Sequence, residues 1–112
     1  MKIAIPTVNG ALCMHFGHSE NFLFIEVDEK AKKILNQQSL TPPPHEPGKL
    51  PPWVKSHGAT VVIAGGMGMR AQEIFRDHGI EIVTGAQGSD PTKIVLDYLQ
   101  GKLETGQNAC DH

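Results

Sequence analysis

The side chains best able to do chemistry in this chain lie in three short stretches. The first, ALCMHFGHSENF over residues 11–22, holds Cys13, His15 and His18 around Gly17. The second is the terminal Cys110-Asp111-His112. Both contain Cys-x-His, and in an extended segment residues two apart point the same way. Thiolate with imidazole suits zinc, copper or an iron–sulfur species. Cys13 with His15 and Cys110 with His112 would together supply two sulfur and two nitrogen ligands, the count that closes a tetrahedral site. The C-x(2–4)-C spacing of structural zinc sites is absent, however. The bland alternative makes Cys13 a small buried hydrophobe and Cys110 a passenger. A Cys13 nucleophile paired with His15 or His18 lacks any accompanying signature of a cysteine enzyme.

The third stretch is Gly65-Gly66-Met67-Gly68, followed by Arg70 and Ala71. Residues 66–71 match the G-x-G-x-x-A form of a dinucleotide fingerprint, in which glycines let backbone approach an anion at a helix N-terminus. That fingerprint requires an acid at the end of the next strand, about 20 residues on. The sequence there reads Val83-Thr84-Gly85-Ala86, so a dinucleotide is disfavoured. What survives is a close-approach loop for another anionic ligand, or simply a tight turn from strand to helix.

These stretches must be positioned by the elements between them. Met1–Pro6 reads as a first strand ended by proline, and Phe22–Val27 as a second. Asp28-Glu29-Lys30 turns into a third strand, Lys32–Leu40, with a ragged alternation at Ile34 and Leu35, making an antiparallel hairpin. Residues 41–52, TPPPHEPGKLPP, hold six of the eight prolines and read as an extended loop. Trp53–His57 is a short helix stopped by Gly58, and Ala59–Ala64 a strand apolar enough to be covered on both faces. Ala71, Ile74, Phe75 and His78 follow at helical spacing up to Gly79. Ile80–Val83 is the next strand, and Asp90-Pro91 starts a last helix ended by Gly101. Alternating helices and strands argue for parallel strands with right-handed crossovers. If the first strand and Ala59–Ala64 are parallel neighbours, loop 7–21 and turn 65–68 flank one crevice at the carboxyl ends of the strands, where open α/β sheets bind ligands.

Composition narrows the function. At 112 residues the chain fits one domain, and 39% hydrophobic residues suffice for a core. A formal net charge of −2 with no basic block disfavours nucleic acid as partner. No apolar run approaches the ~18 residues of a membrane span, and the N-terminus lacks the apolar core of a signal peptide. Two widely separated cysteines make no disulfide scaffold. The expectation is a soluble cytoplasmic domain, with no membrane or nucleic-acid partner.

MKIAIPT at the start, His15-Phe16-Gly17 with Phe22 five residues on, VVIAGGMGMRA, Gly79-Ile80, and Cys110 near a terminal histidine together resemble the dinitrogenase iron–molybdenum cofactor biosynthesis family. That family includes accessory proteins of the NifX and NafY type, the C-terminal domain of NifB, and the orange protein. The resemblance covers essentially the whole chain. It implies a ribonuclease H-like three-layer α/β/α fold around a five-stranded mixed sheet with one antiparallel strand. It also implies binding of a preformed metal–sulfide cluster, of the iron–molybdenum or molybdenum–copper kind, passed between assembly or acceptor proteins. The family histidine maps to His15, within His15-Phe16-Gly17, and the glycine turn to Gly65, Gly66 and Gly68 with Met67 between them. Nuclease chemistry on this fold needs acids on the central strands; MKIAIP and VVIAGG have none, so fold does not carry that function here.

The expectation is therefore a non-catalytic carrier, with domain 1–101 and a flexible tail 102–112. Its cofactor-binding residues would be His15, Phe16, Gly17, His18, Gly65, Gly66, Met67, Gly68 and Arg70. Metal ligands would come from Cys13, His15, His18, Cys110 and His112. The alternatives are a Cys/His zinc or copper protein and a metal-free anion-sensing or interaction module.

Overall fold

Strands whose side chains are buried on both faces form the middle layer. The computed structural model describes residues 1–13, 19–43 and 49–106. In chain order the elements are β1 (Lys2–Val8), β2 (Ala11–Leu12), β3 (Asn21–Asp28), β4 (Lys33–Leu40), α1 (Leu50–Ser56), β5 (Val61–Ile63), α2 (Met69–Asp77), β6 (Glu81–Val83) and α3 (Pro91–Leu99). The sheet order is β4-β3-β1-β5-β6, with β2 added to β1. β1, β5 and β6 are parallel, while β3 is antiparallel to both β1 and β4. The five-stranded path is thus mixed with one reversed strand, as the family resemblance implies.

Alternation along each strand splits the core in two. Ile3, Ile5, Ile25, Val27, Val61 and Ile63 face α3 through Ile94 and Val95. Ala4, Phe22, Phe24 and Val62 face the other way, against Val54 of α1 and Phe75 of α2. Trp53 closes that second layer edge-on to Phe22 and Phe24, at ring-centroid distances of 5.8 and 5.6 Å. At the start of α3 the Asp90 carboxylate accepts the Thr92 amide at 3.0 Å, the N-cap expected from Asp-Pro.

Two local expectations are corrected, and one irregularity gains its cause. Pro6 does not end the first strand; β1 runs on to Val8. Its missing amide falls on the side where the β1–β5 ladder, registered at Ile3 and Ala4, has already finished. The proline-rich loop does not reach residue 52: α1 starts at Leu50, with Pro51 and Pro52 in the first turn, where a helix needs no amide donors. The ragged alternation in β4 has a cause, because Glu26 pairs with Asn36 and Val27 with Ile34. Leu35 is the extra residue of a bulge and stands 60% exposed.

Candidate functional site

β1 and β5 are parallel neighbours, so the chain leaves both at the same end of the sheet. From Val8 it turns through Asn9 and Gly10, at φ 53° and 80°, into β2. This is the two-residue hairpin that Asn-Gly favours. The dipeptide was the signal for β2, which the strand pattern alone misses. The returning chain donates the Cys13 amide to the Pro6 carbonyl at 3.0 Å. Pro6 has no amide with which to return the bond, so the β1–β2 ladder stops there. Beyond the cluster stretch, the Glu20 amide donates to the next carbonyl, that of Thr7, at 2.9 Å. The buried Thr7 hydroxyl donates to the Asn21 carbonyl at 3.2 Å. Both described ends of the histidine stretch are therefore bonded to adjacent carbonyls at the end of β1. Cys13 itself is buried, at 5% exposure. His15, Phe16, Gly17 and His18 lie outside the described residues, as do Cys110 and His112.

The glycine turn leaves β5 at that same end. The Ala64 amide donates to Val83, and the Gly85 amide to Gly65 at 2.7 Å, tying the turn to the chain after β6. Gly65 and Gly66 are buried, Gly68 is half-buried and Arg70 is exposed. Met67 is fully buried among core residues including Phe22, Phe75 and Ala64, so its side chain belongs to the core. Its neighbour Met69 is 45% exposed instead. Gly68 is the N-cap of α2, with φ −65° and ψ 154°, a conformation open to any residue. A side chain there would meet nothing within 4 Å. Neither conformation nor packing demands glycine at 68, which leaves open backbone at a helix N-terminus.

Two features beyond the expected site residues hold this turn. Gln72 is buried, and its Nε2 donates to the Met67 carbonyl at 2.8 Å. The C-terminal segment also folds back here: Thr105 bridges to Ala86, and the Gly106 amide donates to Gly85 at 2.6 Å. Leu103 packs against the α3-side core. Leu103, Thr105 and Gly106, at the start of segment 102–112, thus each have a partner in the domain. Gln72 sits at a helical position where the apolar pattern passes over it, and nothing local marks the tail contact.

His78 is the C-cap of α2, its Nδ1 2.9 Å from the Ile74 carbonyl, consistent with a helix-end role. His57 caps α1 with its ring 5.2 Å from Phe24. Among the described residues, no three His, Cys, Asp or Glu side chains gather to hold a metal ion. No helix among them is long and apolar enough to cross a membrane.

A mixed sheet of this order, with β1 and β5 as parallel neighbours, has counterparts among known proteins. The sequence profile described as "Dinitrogenase iron-molybdenum cofactor" matches residues 1–101. The chain belongs to that family. MJ0580, an uncharacterized protein of Methanocaldococcus jannaschii, is 29% identical over 107 residues, covering 93% of this chain and 90% of that one. The crystal structure of PH0822 superposes with a TM-score of 0.85 at 33% identity, covering 94% of both chains. The apo form of the orange protein from Desulfovibrio gigas shares the fold at a TM-score of 0.72 and 20% identity, with 96% of this chain and 93% of that one covered.

Proposed function

We propose that this family member is a non-catalytic carrier or store for an anionic metal–sulfide cluster, of the iron–molybdenum or molybdenum–copper kind. The supporting observation is the open glycine turn at the start of α2, at the sheet end where both flanks of the His15 stretch are anchored. The residues present suit such a cargo. The unpaired amides at the start of a helix and the Arg70 guanidinium nearby favour negative charge. Gly68 leaves room for close backbone approach, with Gly65 and Gly66 beside it. His15 would be the principal replaceable ligand, with Cys13 and His18 as further soft-metal donors from the same stretch and Phe16 and Gly17 shaping it. Few and replaceable ligands suit a carrier, which must release its cargo to assembly or acceptor proteins. In this reading residues 1–101 form the binding domain, and the protein acts in the cytoplasm.

The test is visible absorption after incubating the protein with tetrathiomolybdate and copper, or with isolated iron–molybdenum cofactor. Retained colour that is lost in His15→Ala supports the reading. A colourless protein that binds one zinc ion would replace it with the Cys-x-His alternative. That alternative draws on one observation: the Gly106–Gly85 bond starts the Cys110-Asp111-His112 segment from the same end of the sheet.

A further inference from the structure

Only two polar side chains are buried among the described residues, Thr7 and Gln72. Thr7 closes the end of β1. Gln72 is less expected: it is 5% exposed on the face of α2 that also buries Phe75, where leucine would fill the space without desolvating an amide. An uncompensated buried amide costs about 1–3 kcal/mol, so its partners matter. Its Nε2 donates to the Met67 carbonyl at 2.8 Å, and its Oε1 accepts from Arg76 Nη2 at 3.2 Å. The Gln72 amide donates to the Gly68 carbonyl at 3.1 Å.

We propose that Gln72, backed by Arg76, is a positioning residue that aims the Gly68 amide at the ligand. In a trans peptide the carbonyl of one residue and the amide of the next point in opposite directions. Drawing the Met67 carbonyl toward Gln72 therefore turns the Gly68 amide the opposite way, away from α2. No described residue accepts that amide. The chain of bonds is also polarised in one direction. The Arg76 cation withdraws electron density from the Gln72 oxygen, which strengthens the Gln72 donor on Met67. That in turn makes the Gly68 amide more positive, as dipoles aligned in a low-dielectric setting reinforce one another. A solvent-exposed cation at Arg76 thereby contributes to the turn without touching the ligand.

This role rests on the carrier reading, and one titration separates the two. Tetrathiomolybdate is added to ¹⁵N-labelled protein while the backbone amides are followed. In the wild type the Gly66 and Gly68 amides shift on binding. In Gln72→Met, which keeps volume but removes the donor, affinity falls about tenfold, ~1.4 kcal/mol. The Gly66 amide still responds in that variant, and the Gly68 amide no longer does. Unchanged affinity with an unchanged Gly68 response overturns the role of Gln72. If no amide of residues 65–68 moves in the wild type, the carrier reading of the turn fails. The Gly68 chemical shift of the free Gln72→Met protein then still reports whether Gln72 orients the peptide. Should Gln72→Met lose its native spectrum, Arg76→Met decides, because that side chain is exposed. A displaced Gly68 amide with a smaller loss of affinity supports the relay, and wild-type values for both refute it.

Discussion

Replacing Gly85 with alanine tests how the C-terminal segment is held at the end of the sheet where β5 and β6 finish. Gly85 lies at φ +75°, and a Cβ built on it would overlap the carbonyl oxygen of Gly106. The left-handed conformation alone costs alanine about 1–2 kcal/mol. The overlap adds a second cost, since the strap must lift. That forfeits the Gly106–Gly85 hydrogen bond, about 1 kcal/mol, and part of the burial of Leu103, about 1 kcal/mol more. Gly85→Ala should therefore destabilise the full chain by about 3–4 kcal/mol. In a chain ending at Gly101, where no strap exists to lift, the same substitution should cost only about 1–2 kcal/mol. The coupling energy, about 2 kcal/mol, lies within the range seen for residues in contact. Urea unfolding of the four proteins, followed by the fluorescence of Trp53, the single tryptophan, gives each stability. An equal loss from Gly85→Ala in both backgrounds would refute the reasoning, because the strap would then contribute nothing at Gly85.

Ending the chain at Gly106 keeps Leu103, Thr105 and the Gly85 bond, so stability should match the full chain in the same urea experiment. Cluster affinity of that truncation should also be unchanged; a tenfold loss, ~1.4 kcal/mol, would instead make Cys110 and His112 ligands. Asp90→Ala removes the cap of α3 and should cost about 1 kcal/mol, read as a lower urea midpoint with unchanged slope. The Tyr98 hydroxyl is held above its ordinary pKa, first by burial and then by the Glu81 carboxylate, to which it donates at 3.4 Å. The fold thus favours the neutral phenol. Its contribution is fully present below about pH 10 and is lost as pH rises through the raised value. Tyr98→Phe should accordingly flatten the alkaline fall in stability, and thermal melts from neutral to strongly alkaline pH would show wild-type behaviour if Tyr98 were uninvolved.

Much of this protein was legible in order along the chain, wherever a local rule acts over a few residues. Asp90-Pro91 and the glycines at 58, 79 and 101 marked helix ends because capping and positive φ are local demands, and those glycines do sit at φ +87°, +76° and +72°. The nearly continuous apolar run Ala59–Ala64 announced a strand covered on both faces; β5 occupies Val61–Ile63 of it, and helices cover both faces. The glycine turn and the HFG stretch were visible as motifs because their residue types are unusual for so short a span. Pro6 was misread by the same local logic. A proline ends a strand only where a partner needs its amide, and whether one does is decided by how far β5 extends.

What only the tertiary structure decided depends on contacts between residues distant in sequence. Parallel pairing of β1 with β5 puts the glycine turn and the ends of the histidine stretch on one edge, although more than 40 residues separate Cys13 from Gly65. Gln72 reads as an ordinary polar helix residue until the fold buries it under Met67. The glycine at 85 is only partly explained by its own positive φ; the rest of its reason is Gly106, approaching from beyond α3. Hydrophobic period and capping act over one or two turns of chain and can be read there. Strand neighbours, buried hydrogen bonds and backbone crossings are set by which surfaces the collapsed chain brings together.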